Sequence, residues 1–70
     1  METLDCTGMR CPLPIIKLAK ALAAMPLKSQ ILLLSDDPAS EPDLRAWARM
    51  TGNGVQTISS DSFEVTKLAD

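Results

Sequence analysis

The chain has 70 residues, 46% of them hydrophobic and 23% charged, with seven Lys and Arg against nine Asp and Glu for a formal charge of −2. This is ordinary globular usage, which argues against disorder or a fibre. The acidic balance leaves no positive field to collect a phosphate backbone, and no apolar run approaches the ~20 residues that span a bilayer. A chain this short buries only ~60% of its unfolded surface, so one compact domain over residues 1–70 is the expected organisation.

The N-terminal stretch Met1-Glu2-Thr3-Leu4-Asp5 lacks the basic start and apolar body of a signal peptide, so a cytoplasmic location is expected. Thr3-Leu4-Asp5-Cys6 alternates polar and apolar and reads as a short first strand, with Leu4 and Cys6 on one face. Thr7 to Arg10 is a loop, and Gly8 within it can supply backbone angles that other residues avoid.

Arg10-Cys11-Pro12-Leu13-Pro14 then leads into a helical run. Ile15, Leu18, Ala19, Leu22 and Ala23 form its expected apolar stripe, with Lys17, Lys20 and Ala24 away from it. Pro26 cannot continue the helix, which is expected to stop near Ala24. Gln30 to Ser35 is a short, nearly continuous apolar run, expected to be a strand buried on both faces or nearly so. A helix between two strands normally makes them parallel.

Asp36-Asp37-Pro38-Ala39 reads as a loop, and Ser40 with Asp43 as a capping-box-like helix start. The second helix shows one face of Leu44, Trp47, Ala48 and Thr51 and another of Arg45 and Arg49, and ends at Gly52-Asn53-Gly54. Val55 to Ser59 and Phe63 to Lys67 alternate around Ser60-Asp61-Ser62 and read as an antiparallel hairpin. The order β-α-β-α-β-β predicts a two-layer α/β sandwich, with both helices on one face of a four-stranded mixed sheet.

Chemistry concentrates on Cys11. Only the thiolate is a working nucleophile, and a helix N-terminus or a nearby cation favours it. Cys11 fits an N-cap position with Pro12 at the first helical position. The helix end alone is worth only ~0.3–1 kcal/mol, under one pKa unit, so Arg10 is expected to supply the rest. The amides of Leu13 and Ile15 are the local donors, and Pro12 and Pro14 stiffen the backbone around Leu13 so that the sulfur is held at an exposed edge.

No acid, base or oxyanion partner is evident beside this thiol, which favours carrying a group between proteins over turnover of a small substrate. With two Cys and no His in the chain, neither a structural zinc site nor a Ser-His-Asp arrangement can be built. No metal or cofactor is implied. One Trp, one Phe and no Tyr give no platform for stacking bases.

Each landmark has a plainer reading. A lone cysteine is often a small core residue, and Cys6, sharing a face with Leu4, fits that better than Cys11 does. A Cys6–Cys11 disulfide or resolving pair stays open until distances are known, although the C-x-x-C spacing of a redox pair is absent. Asp36 and Asp37 are sufficiently explained as turn and cap residues, with a contact to a partner as the alternative, because adjacent residues at a strand end point apart. Trp47 reads as a core anchor, and Lys17, Lys20, Arg45 and Arg49 as solvated faces open to an acidic partner.

Leu4-Asp5, Gly8, Cys11-Pro12-Leu13-Pro14, Asp36-Asp37-Pro38, Asp43-Leu44, Trp47 and Gly52 follow, in order, the pattern of the TusA/SirA-like sulfur carriers, which this chain resembles over almost its whole length. The resemblance implies a two-layer α/β sandwich and a persulfide on Cys11. It implies sulfur received from a rhodanese-like, DsrE-like or cysteine desulfurase donor and passed to an acceptor protein. The family's outlets include tRNA thiolation, molybdenum cofactor assembly and sulfur oxidation. The chain departs from the pattern at Asn53, where many members have histidine, at Leu27-Lys28-Ser29, a turn that commonly contains glycine, and at Met9, usually leucine. A reading from a different class is a regulatory or interaction module whose cysteine is dispensable, since fold alone does not fix function.

Overall fold

The structure is a computed structural model that describes residues 2–10 and 13–69; Met1, Cys11, Pro12 and Asp70 lie outside the described residues. The elements are β1 (Glu2–Asp5), α1 (Leu13–Ala23), β2 (Gln30–Leu34), α2 (Ser40–Thr51), β3 (Gly54–Thr57) and β4 (Ser62–Thr66). They make one mixed sheet in the order β1-β2-β4-β3. β1 runs parallel to β2, with Leu4 opposite Leu33, while β4 is antiparallel to both β2 and β3, with Phe63 opposite Leu33 and Thr57.

Strand periodicity places Ile31, Leu33, Phe63 and Val65 on one face, and all four are buried. Leu18 and Leu22 from α1 and Leu44 from α2 join them in a single core cluster. Both helices therefore cover the same face, as the element order implies. β2 is less enclosed than its apolar run suggests. Leu32 and Leu34 are only half-buried, because the second face of the sheet carries no helix and their cross-strand neighbours there are Glu64 and Ser62.

The buried stripe of α1 also differs from expectation. Pro14, Leu18 and Leu22 face inward with Ile15, Ala21 and Met25 packed alongside, whereas Ala19 and Ala23 are exposed. An alanine removes so little area from water that the larger Leu18 and Leu22, together with the Pro14 ring, decide the helix rotation.

At the start of α2 the expected capping box does not form. Ala39 occupies the cap position without a side-chain hydrogen bond. Ser40 is instead the first helical residue, buried, with its Oγ 2.6 Å from Ser35 Oγ. The turn into the helix is held by Asp37, whose Oδ1 accepts the Ala39 amide at 3.0 Å and whose carbonyl accepts the Ser40 amide at 2.9 Å. The other end of α2 matches its sequence signal: Gly52 is left-handed at φ 80°, and its amide closes on the Ala48 carbonyl. Beyond it, Asn53 Oδ1 accepts the Leu68 and Ala69 amides at 3.0 and 3.1 Å and so pins the segment after β4.

Candidate functional site

The site is assembled where the parallel strands β1 and β2 end, the edge of an α/β sheet at which loops from separate parts of the chain converge. Cys6 follows β1 directly, and its amide donates to the Leu34 carbonyl at 2.7 Å, extending the strand pairing by one residue. This places Cys6 in the core, with none of its surface exposed. Burial pushes its thiol pKa up, Lys17 pulls more weakly the other way, and Asp5 adds a further upward push. Cys6 is thus a packed core residue whose thiol resists ionisation.

The loop from Thr7 to Arg10 is tied down amide by amide. The Thr7 amide donates to Asp5 Oδ1 at 2.9 Å, the Gly8 amide to Asp36 Oδ1 at 3.0 Å, and the Met9 amide to the Cys6 carbonyl at 3.0 Å. Gly8 adopts φ 84°, a left-handed conformation that side chains disfavour, and this turns the chain back toward the β2–α2 loop. Asp36 and Asp37 do point apart, Asp36 across to Gly8 and Asp37 along its own loop to Ala39.

Cys11 and Pro12 lie outside the described residues, but the chain on both sides of them is defined. The Leu13 amide donates to the Arg10 carbonyl at 2.9 Å, so one of the two amides expected to face the thiol is already engaged. Arg10 is exposed and Leu13 is 53% exposed. Pro14, expected to stiffen the backbone beside Leu13, packs inward. Its side chain is fully buried and anchors the first turn of α1 in the core.

A groove of about 560 Å³ opens beside Arg10, lined by Gly8, Met9 and Arg10 on one side and by residues 36–39 with Asp43 on the other. Its lining includes three acidic residues, Asp36, Asp37 and Asp43, and one basic residue, Arg10, so it is net negative. Residue spacing marks Asp36 and Asp37 as turn and cap residues, with a partner contact as the alternative. The signal that Asp36 reaches the loop before Cys11 is spatial, a bond across 28 positions, and no local pattern carries it.

Lys17, Lys20, Arg45 and Arg49 lie on exposed helix faces, and Trp47 packs partly buried against the core, as their spacing indicates. A second depression, about 390 Å³, runs between the helices past Ala19, Ala23, Trp47 and Met50. It reaches toward the far end of α1, roughly 15 Å of helix from Leu13.

Fold and sequence motif together define a small α/β protein of the sulfur-carrier class. The family model described as sulfurtransferase TusA matches residues 2–67, and the chain belongs to this family. The sulfur carrier protein TusA of Allochromatium vinosum is 40% identical over 52 residues, covering 74% of this chain and 68% of that protein. A Neisseria meningitidis serogroup A protein with a provisional sulfur-carrier name is 44% identical over 52 residues, covering 74% of this chain and 70% of its own. A crystal structure of a SirA-like protein from Desulfitobacterium hafniense superposes with a TM-score of 0.70 at 30% identity, covering 94% of this chain and 93% of that one. Family membership supports a sulfur-carrier role. Among the described residues, no helix is long and apolar enough to cross a membrane.

Proposed function

We propose that this protein carries sulfur as a persulfide on Cys11, between a donor protein and an acceptor protein. The observation that carries the reading is the division between the two cysteines. Cys6 is fully buried with its thiol pushed toward the protonated form, which leaves the sulfur-bearing task to Cys11. The described residues flanking the Cys11-Pro12 pair, Arg10 and Leu13, are both exposed.

The Cys11 thiolate attacks the outer sulfur of a donor persulfide. A new S–S bond forms, the donor's S–S bond breaks, and the donor thiolate leaves, so no external oxidant or reductant is needed. The reverse type of displacement hands the same sulfur to the acceptor and regenerates the Cys11 thiolate. Arg10 supplies positive charge beside the sulfur, Pro12 restricts the backbone after it, Leu13 offers an apolar contact to the partner, and Pro14 anchors the helix from within. The donor is a rhodanese-like, DsrE-like or cysteine desulfurase protein, the exchange takes place in the cytoplasm, and neither nucleic acid nor a membrane is contacted directly.

The test is intact-mass measurement after incubation with a persulfide-loaded cysteine desulfurase. Wild type and Cys6→Ala are expected to gain the mass of one sulfur atom, and Cys11→Ser none. Sulfur on Cys11→Ser, or none on wild type, overturns the proposal. Full activity of Cys11→Ser in cells would instead establish a regulatory or interaction module.

A further inference from the structure

We propose that Asp36 is a positioning residue for sulfur transfer, acting through the Gly8 amide on the segment that leads into Cys11. The inference rests on the reading of Cys11 as the sulfur-bearing residue. Of the three amide bonds that hold the loop after β1, those of Thr7 and Met9 are local, to Asp5 and Cys6. Among the described residues, the Gly8 bond to Asp36 Oδ1, at 3.0 Å, ties this loop to the loop after β2.

The geometry of this bond matters for the chemistry. Displacement at sulfur requires the attacking sulfur, the transferred sulfur and the leaving sulfur to lie nearly in line, and rates fall steeply when reacting atoms are misplaced. The segment Gly8-Met9-Arg10 is the wall of the 560 Å³ groove and the chain's approach to Cys11. Its backbone turns at Gly8, which carries no side chain and faces open space: no heavy atom beyond its chain neighbours lies within 4 Å of where a Cβ would sit. No side chain wedges the turning point itself, although the next residue, Met9, packs against the core. A directional bond from a charged acceptor takes that place, and such bonds are stronger than those between neutral groups.

This role makes a prediction that separates Asp36 from a docking charge. Asn at position 36 keeps an oxygen that can accept from the Gly8 amide but loses the negative charge, whereas Ala loses both. The measurement is single-turnover sulfur transfer from a persulfide-loaded cysteine desulfurase onto Cys11, followed by intact mass across donor concentrations, with the Gly8 amide read by NMR hydrogen exchange.

Asp36→Ala is expected to slow transfer at saturating donor by about tenfold, equivalent to about 1.4 kcal/mol, and to lose protection at the Gly8 amide. Asp36→Asn is expected to retain most of both, and the donor concentration giving half-maximal rate should change little in either. If both variants instead raise that concentration alike, and the effect fades with salt, Asp36 is a docking charge and the positioning role is wrong. Asp36→Ala transferring at the wild-type saturating rate, whatever its thermal stability, also overturns it. A wild-type protein that takes no sulfur on Cys11 defeats the carrier reading itself, a failure recognisable before either variant is made.

Discussion

The Lys67 ammonium donates to the carbonyl oxygens of Leu22 at 2.9 Å and Met25 at 2.6 Å, and the residue is only 8% exposed. These carbonyls belong to the last turn of α1 and the residues just after it, where helix carbonyls lack intrahelical donors and a positive charge is favoured. The residue that follows β4 thus caps α1 with its side chain. In strand periodicity Lys67 shares a face with Phe63 and Val65, so the alternation that sends Glu64 and Thr66 outward sends this lysine inward. Residue type argued for exposure. The helix end waiting at that position is visible only once the fold is formed. Lys67→Met keeps the aliphatic stem and removes the donors, and hydrogen bonds from a charged group are worth about 1.5–3 kcal/mol. For a chain of this size each kcal/mol shifts the melting temperature by about 4–8 °C. The variant is expected to melt about 10 °C lower by circular dichroism, and an unchanged midpoint would show that the cap contributes nothing.

At the scale of elements, turns and hairpins were more legible than helix rotations. The β3–β4 hairpin and the Gly52 end of α2 form where alternation and glycine placed them, because a turn is a local matter of backbone angles. The rotation of α1 departs from the sequence pattern at Ala19 and Ala23, and the start of α2 at Ser40, because in each case the deciding partner is far away or larger: Leu18 and Leu22 against the sheet, and Ser35 across the loop. The groove beside Arg10 was out of reach for the same reason, since its walls come from two loops that meet only in space. The α1–β2 turn combines both kinds of information. The family resemblance marks Leu27-Lys28-Ser29 as a turn expected to contain glycine, and Lys28 adopts φ 71°. A left-handed conformation costs a side-chain-bearing residue roughly 1–2 kcal/mol, partly offset by the greater unfolded-state entropy of glycine, about 0.4–1 kcal/mol. Lys28→Gly is accordingly expected to stabilise the protein by about 0.5–1 kcal/mol, read as a higher urea midpoint at unchanged slope. A lower midpoint would mean that the lysine side chain contributes more than its backbone costs.

Across the whole molecule, stability is drawn from a small core, so polar ties between layers carry weight. Chains of this size are stable by only about 4–10 kcal/mol. One such tie joins the first turn of α2 to the end of β3: Glu41 Oε2 accepts the Thr57 hydroxyl at 2.7 Å and lies 3.5 Å from Arg45. The Thr57 bond is the main cause that holds the Glu41 carboxyl below the usual glutamate range, with Arg45 a smaller contributor. Asp5 is lowered in the same direction, by hydrogen bonds from the Thr7 side chain and then its amide. A carboxylate with a lower pKa in the folded state binds protons less readily there than in the unfolded chain. The stability it contributes is complete above the ordinary carboxylate pKa and is lost as pH falls through that value to the depressed one. Thermal midpoints measured from neutral pH down through the carboxylate range are therefore expected to fall with acid. Glu41→Gln should fall less steeply, because its amide oxygen can still accept from Thr57 but no longer titrates. Since a hydrogen bond outweighs the Arg45 charge as the cause, the difference between the two profiles should persist in high salt, where a surface ion pair would be screened. Parallel acid profiles for wild type and Glu41→Gln, or a difference that vanishes on adding salt, would remove Thr57 as the source of the tie.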